Sequence, residues 1–423
     1  MKLLNVTAHS FKAAWASAWA QGAINQGRLT LQRGVVWLSW LALAGLPTAA
    51  PAAGVTTSYQ FAVSESGAAT VTVPIQIPRG IGGMEPQLSF NYSSSAGNGL
   101  FGLGWWLGGV SSVTRCPKNL VTDGVRGKVG LAVGDRYCLD GQRLEIEPAS
   151  GNTDSNYGTA GTSYRTAKET FSRVTAVGGS YGTQSTVPNG FRVETKAGLI
   201  LDFGLTANSQ VITNRGAGLG ANTISRWMLQ RISDRTTAGS FVEFVYCAGE
   251  VSADGAACDV TKWAGSVALQ YVRYTNRNAA VNGEFAVVLG YESRPDRVQA
   301  FNHGSGTRQT QRVSRVSAYR DFQGAGTPQG TLQLGTLVRT YAIAYEPIEV
   351  AGLSVRATNV SRLKTITESD GAGNSLPPLD FSMAPDSVFG MSVQHRSQFP
   401  RGTPRTPDPC GGVMANKLGL QCP

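Results

Sequence analysis

Thr70-Val71-Thr72-Val73-Pro74-Ile75-Gln76-Ile77 and Gln87-Leu88-Ser89-Phe90-Asn91-Tyr92-Ser93 alternate apolar and polar side chains almost one for one. A period of two marks a half-buried strand, because successive side chains of extended backbone point to opposite faces. The pattern recurs at Gly190 to Glu194, Leu199 to Phe203, Trp227 to Ser233, Phe241 to Tyr246, Val267 to Tyr274, Phe285 to Tyr291, Arg312 to Tyr319 and Leu337 to Tyr345. Nearly all of these segments are bounded by Gly, Asn, Asp or Pro, which supply the turns between antiparallel strands. With 52 glycines and only 15% charged residues, the chain lacks the Glu, Lys and Arg that exposed helix faces use. The expected fold is all-β, an extended or curved antiparallel sheet assembly with long Gly/Ser-rich loops and no long helix after Ala52. Residues 148–189, rich in Gly, Ser and Thr, read as long loops or an insertion.

Both ends read differently from this body. Lys2, Lys12, Arg28 and Arg33 precede the apolar run Val35 to Leu46 with no acidic residue among them, the charge-then-apolar order of a secretory signal. Ala50-Pro51-Ala52 then offers small residues for a cut after Ala52. About a dozen apolar residues fall short of the roughly 20 that a spanning helix needs. From about Gln394 the chain turns Pro-, Arg- and Gly-rich and loses periodicity. The expected organisation is a signal peptide over 1–52, a β-rich module over 53–390 and a disordered tail over 391–423. The mature chain is expected to be exported, with no stable membrane span.

The net charge of +10 belongs mostly to those ends. The leader carries four basic residues and the tail from Arg396 a net three, so the body holds about +3. No basic run of five or more occurs, which argues against nucleic acid as a partner. Six cysteines fit an oxidising compartment. Cys116 and Cys138 bracket a turn-rich segment, and Cys247 and Cys258 bracket a small loop containing Asp254-Gly255, so two local disulfides are expected. Cys410 and Cys422 are left to pair with each other or stay free. A metal site is the poorer reading, because no pair has C-x-x-C spacing and only His303 and His395 lie beyond the leader.

Candidate chemistry is thin. Gly178-Gly179-Ser180-Tyr181-Gly182 matches the G-x-S-x-G elbow of esterases, but no helix signal follows it. Gly102-Leu103-Gly104-Trp105-Trp106-Leu107-Gly108 departs from the dinucleotide fingerprint in spacing and reads as tight sheet packing, with an exposed aromatic patch as the alternative. Glu145-Ile146-Glu147 places two carboxylates on one strand face, a geometry used by some ADP-ribosyltransferases. The arginine strand and Ser-Thr-Ser strand that accompany it there are missing. Asp370-Gly371-Ala372-Gly373-Asn374 lacks the alternating carboxylates of a calcium loop and reads as a hairpin turn. No catalytic, cofactor-binding or metal residue is assigned, and no cofactor is expected.

The strand and turn segments nonetheless resemble a known family. Gly67 to Ile75, Pro78 to Ser93, Gly97 to Trp105, Ser112 to Pro117 and Asp135 to Leu144 are similar to the start of the SpvB/TcaC family. That family includes a virulence-plasmid protein and the B subunits of insecticidal toxin complexes. Looser similarity continues at Tyr341 to Glu346, Ser361 to Glu368 and Leu376 to Phe381, so the resemblance spans roughly residues 58–383. It implies a β-rich, Rhs/toxin-shell-like scaffold module, which in relatives precedes a propeller and Rhs-type repeats or a separate actin-modifying ADP-ribosyltransferase. Neither continuation follows Leu379-Asp380-Phe381, so a naturally short or truncated member is expected.

The first functional expectation is therefore a secreted, non-catalytic scaffold that assembles with protein partners of a toxin complex. A second, from a different class, is ADP-ribosyl transfer through Glu145 and Glu147. A third is a cell-surface carbohydrate-binding protein using Trp105, Trp106 and nearby tyrosines.

Overall fold

The computed structural model describes residues 4–7, 56–132, 134–147, 150–178, 188–213, 223–235, 240–262, 267–275, 284–302, 305–324, 331–347 and 360–383. The cut after Ala52, Ser180 of the elbow motif, both late histidines, Cys410, Cys422 and the tail lie outside these residues. Within them the fold is all-β: every strand pairing is antiparallel, and the one α-helix among the described residues is the single turn Leu120–Asp123.

Eight strands close into a barrel. Ser112–Cys116 pairs with Arg136–Leu139, and the order continues through Gln142–Ile146, Ser163–Thr166, Arg173–Val177, Gly190–Glu194 and Leu199–Phe203 to Thr223–Asp234. Thr223–Asp234 then returns to the first strand, with Trp227 opposite Val113. Closure leaves no unpaired edge, and eight strands enclose a lumen just wide enough for side chains to fill. Alternation supplies them: Val113, Tyr137, Leu144, Tyr164, Val174, Phe191, Phe203 and Trp227 are all buried. Tyr137, Phe191 and Trp227 meet edge to face at 5.1 to 5.4 Å, and the Trp227 indole donates to the Pro188 carbonyl at 3.2 Å. The barrel is thus a packed core. Its connections are unequal, with tight turns such as Asp140-Gly141 at one rim and the longer connections after Cys116 and after Ile146 at the other.

Thr223–Asp234 serves two sheets. Its first half closes the barrel, while Arg231 to Ser233 pair with Phe241 to Glu243 and start an open meander. That meander runs through Phe241–Cys247, Ala268–Tyr274, Glu284–Asn302, Ser305–Phe322, Thr336–Tyr345, Leu363–Asp370 and Leu379–Met383. The backbone of Leu4–Thr7 lies antiparallel to the last of these. A separate four-stranded sheet, Gln60–Val63, Ala69–Pro74, Ser89–Ser93 and Trp105–Gly108, packs onto the meander. Phe90 meets Tyr341 at 5.8 Å, and Trp105 meets Phe381 at 4.8 Å. The Tyr341 hydroxyl accepts from the Gln76 amide, and the Tyr274 hydroxyl donates to the Pro78 carbonyl, both at 2.8 Å.

Most expected strands lie where the alternation put them, and the two local disulfides, Cys116–Cys138 and Cys247–Cys258, are formed. Three features differ. Residues 148–189 are not all loop, since Ser163–Thr166 and Arg173–Val177 are barrel staves. Ser163–Thr166 carries a single large apolar residue, so its pattern is faint, and Arg173–Val177, though alternating, is short and set in a Gly-, Ser- and Thr-rich stretch. The strands around Tyr291 and Arg312 belong to one hairpin of 19- and 18-residue strands, longer than their apolar cores. Barrel closure itself was not expected from the sequence.

Candidate functional site

The residues singled out for chemistry do not converge. Leu144 points into the barrel, which turns Glu145 outward, where it stands opposite Arg165 with 3.8 Å between charged atoms. Glu147 follows the strand end, its amide donating to the Ser163 carbonyl at 2.9 Å. The pair is partly exposed on the barrel exterior, where an ion pair of this kind contributes little. Asp370 closes the turn expected of it: one carboxylate oxygen accepts from the amides of Ala372 and Asn374 at 2.9 and 2.8 Å. Among the described residues no three His, Cys, Asp or Glu side chains cluster as a metal would require.

The paired tryptophans part company. Trp105 is buried between Tyr92 and Phe381, and Trp106 emerges on the outer face beside Asn91. The glycines around them serve close approach. A Cβ on Gly102, whose φ is +84°, would lie 2.4 Å from the Ser361 carbonyl oxygen.

That contact leads to a buried ionic cluster that sequence reasoning missed. The Arg294 guanidinium, fully enclosed, bonds Asp296, the Gln309 side chain, the Asn98 side chain and the Gly99 carbonyl. Asp296 accepts in turn from the amide and hydroxyl of Ser361 and from the Asn98 amide group. Burial pushes the Asp296 carboxyl up, but the hydrogen bonds from Arg294, Ser361 and Asn98 outweigh it and hold the group well below the usual carboxylate range. The cluster ties the Gly-rich hairpin, the long hairpin and the approach to Leu363–Asp370 at one point. All its donors and acceptors face each other, which gives it a locking role.

The best candidate for contact with another molecule is an edge. Gln60–Val63 pairs with Ala69–Pro74 on one side and, among the described residues, with no strand on the other. Phe61 and Val63 stand opposite Val71 and Ala69 and share their core-facing side, yet they are 51% and 59% exposed. The stretch Tyr59 to Ser64 carries no charge and no proline, the devices that ordinarily protect a sheet edge. Its four residues were too few to register as a strand in the sequence.

Among solved structures, the chain is similar to TcdB2-TccC3, at 17% identity and a TM-score of 0.54 over 77% of this chain and 17% of that one. It is also similar to a Photorhabdus luminescens Tc holotoxin pore carrying a TccC3 substitution, at 18% identity and a TM-score of 0.51 over 78% of this chain and 16% of that one. The N-terminal domain of effector protein SpvB from Salmonella typhimurium strain LT2 aligns at 17% identity and a TM-score of 0.49, over 70% of this chain and 98% of that one. The chain therefore spans about a sixth of the toxin-complex chains it matches, and at these identities the likeness is one of fold. No curated protein matches it. Residues 63–320 match the profile of a family described as Salmonella virulence plasmid 65kDa B protein, and with more than half of its length in that match the chain belongs to the SpvB family.

Proposed function

We propose that this chain is an exported, non-catalytic scaffold module of a virulence or toxin assembly, which works by docking partner chains. The reading rests on the uncharged edge at Gln60–Val63, where backbone groups without a strand partner among the described residues and the exposed Phe61 and Val63 invite an incoming strand. Membership of a virulence family and likeness in fold to toxin-complex chains support it. Among the described residues no helix is long and apolar enough to cross a membrane. The partners are toxin-complex-type proteins encoded in neighbouring reading frames, and the destination lies beyond the inner membrane.

The test is co-purification with the products of those frames, followed by calorimetry on the purified pair. Covering Phe61 and Val63 is worth about 1.5–3 kcal/mol for each side chain. The double substitution Phe61→Lys/Val63→Lys therefore abolishes association while leaving the unfolding midpoint almost unchanged. A monodisperse chain that binds none of these products overturns the proposal.

A further inference from the structure

The segment 117–135 rises from the long-loop rim of the barrel, its stem closed by the Cys116–Cys138 disulfide. Its sequence contains two acidic and three basic residues, and the structure sorts them by direction. Asp123 turns inward, where its carboxylate accepts from Arg136 at 2.7 Å and from Arg143 at 2.5 Å and caps the Asn119 amide at 2.8 Å. Asp135 also turns inward, accepting from the enclosed Arg115 guanidinium at 3.0 Å and from the amides of Gly130 and Ala132. Both negative charges are thereby spent on arginines of the barrel. Among the described residues, Lys118, Arg126 and Lys128 have no acidic side chain within ion-pair distance.

Three of its apolar residues face the opposite way, while Leu131 is buried. Leu120 and Val125 are more than half exposed, and Val121 is 94% exposed, at the crest of the single helical turn. The three cations and the two residues of that crest border one shallow open cleft of about 780 Å³. Val121 has almost no packing inside the fold, and an exposed apolar group beside three cations is available to a surface that is apolar at depth and negative on its outside.

We propose that this disulfide-closed loop is a docking surface for an anionic lipid membrane: Leu120, Val121 and Val125 enter the headgroup region while Lys118, Arg126 and Lys128 bind lipid phosphates and carboxylates. A lipid surface fits better than an acidic peptide because Leu120, Val121 and Val125 are each more than half exposed and the cleft beside the cations is shallow and open, so a broad surface reaches them together. Cations flanking apolar side chains on a short element give shallow interfacial attachment, not a span.

The test is co-sedimentation of the full chain with vesicles of equal parts phosphatidylserine and phosphatidylcholine, against vesicles of phosphatidylcholine alone. Binding to the anionic vesicles only, weakening as salt is raised, is expected. Replacing Lys118, Arg126 and Lys128 by Gln lowers the partition constant by about a hundredfold, at about fivefold for each charge. Val121→Asp abolishes binding without moving the unfolding midpoint, because that side chain has no packing to lose. Equal binding to both vesicle types, or full binding by Val121→Asp, overturns the proposal. So does absence of binding to either vesicle when an acidic peptide is captured by the same three cations, which assigns the patch to acidic proteins.

Discussion

Asp296 accepts the backbone amide of Ser361 at 2.7 Å across 65 residues of sequence, and it does so beside a guanidinium, that of Arg294, with no exposed surface. Three segments distant in the chain are thus fixed by one carboxylate. Removing it strands a buried cation, which costs far more than losing a surface pair.

The expected consequence for Asp296→Asn is a loss of about 3–5 kcal/mol at neutral pH. The pH dependence has a definite sign. The carboxyl titrates lower in the folded chain than in the unfolded one, where its pKa is about 3.9. Its contribution is therefore complete above that value and drains away as the pH falls towards the depressed folded value. Unfolding midpoints measured from pH 7 downward should drop in the native chain below about pH 4 and drop less in Asp296→Asn. Parallel curves would show that Asp296 does not couple folding to protons.

The Cys247–Cys258 loop lies flat on the long hairpin. A Cβ on Gly290 would come 2.0 Å from the Ala253 carbonyl oxygen, and the Tyr291 amide donates to the Ser252 carbonyl at 3.1 Å. Replacing both cysteines by Ala frees a loop of 11 residues and should cost about 3 kcal/mol. Gly290→Ala should cost about 1–3 kcal/mol through overpacking. Because an untethered loop can lift off, the two losses should fall short of additive in a double-mutant cycle by urea denaturation. Strict additivity would mean that the disulfide does not press the loop onto the strand.

Trp105 and Trp106 provide a test of strand alternation itself. Trp105→Ala empties a site between Tyr92 and Phe381 and should cost about 3–5 kcal/mol. Trp106→Ala acts on the outer face and should cost well under about 1 kcal/mol. Acrylamide should quench the fluorescence of Trp106 before that of Trp105. Equal stability losses would require a different register at this edge.

Such alternation was the part of the fold legible in the sequence. Gly190 to Glu194 places Phe191 and Val193 at period two and Leu199 to Phe203 is a short apolar run, and the structure starts and stops both strands at the same residues. The cysteine pairs were legible because each spans a short turn-bearing segment. Closure of the barrel was not, because it depends on Arg226 meeting Thr114, and no local pattern encodes a partner so remote. Ser163–Thr166 was hidden for a related reason, with a single large apolar residue, Tyr164, inside it. The long hairpin looked polar where it is held by charge, since Arg294 enters the interior only with Asp296 and Ser361 around it. The Gly-Trp-Trp stretch announced tight packing but not which indole would be enclosed. The edge strand Gln60–Val63 is too short for periodicity to show.

Asp135 holds the 117–135 loop to the barrel and offers the sharpest substitution there. One of its carboxylate oxygens accepts from the Gly130 amide at 2.8 Å, and the other accepts from Arg115 at 3.0 Å and from the Ala132 amide at 3.2 Å. Every neighbour is a donor, so an amide at this position can satisfy one side only and turns its own N–H groups towards the others. Asp135→Asn should therefore be nearly as damaging as Asp135→Ala, at about 3–5 kcal/mol, although it is the conservative change elsewhere. Arg115 would be left against the Tyr137 and Trp227 rings with no counter-charge, at 5.7 and 5.6 Å from their centroids. Replacing Arg115 and Asp135 together by Met and Leu removes both buried charges and should recover much of the loss. Hydrogen exchange should show amides 130–135 deprotected first in Asp135→Asn, ahead of the barrel strands. If the single and double variants unfolded alike, the pair would be contributing packing rather than charge.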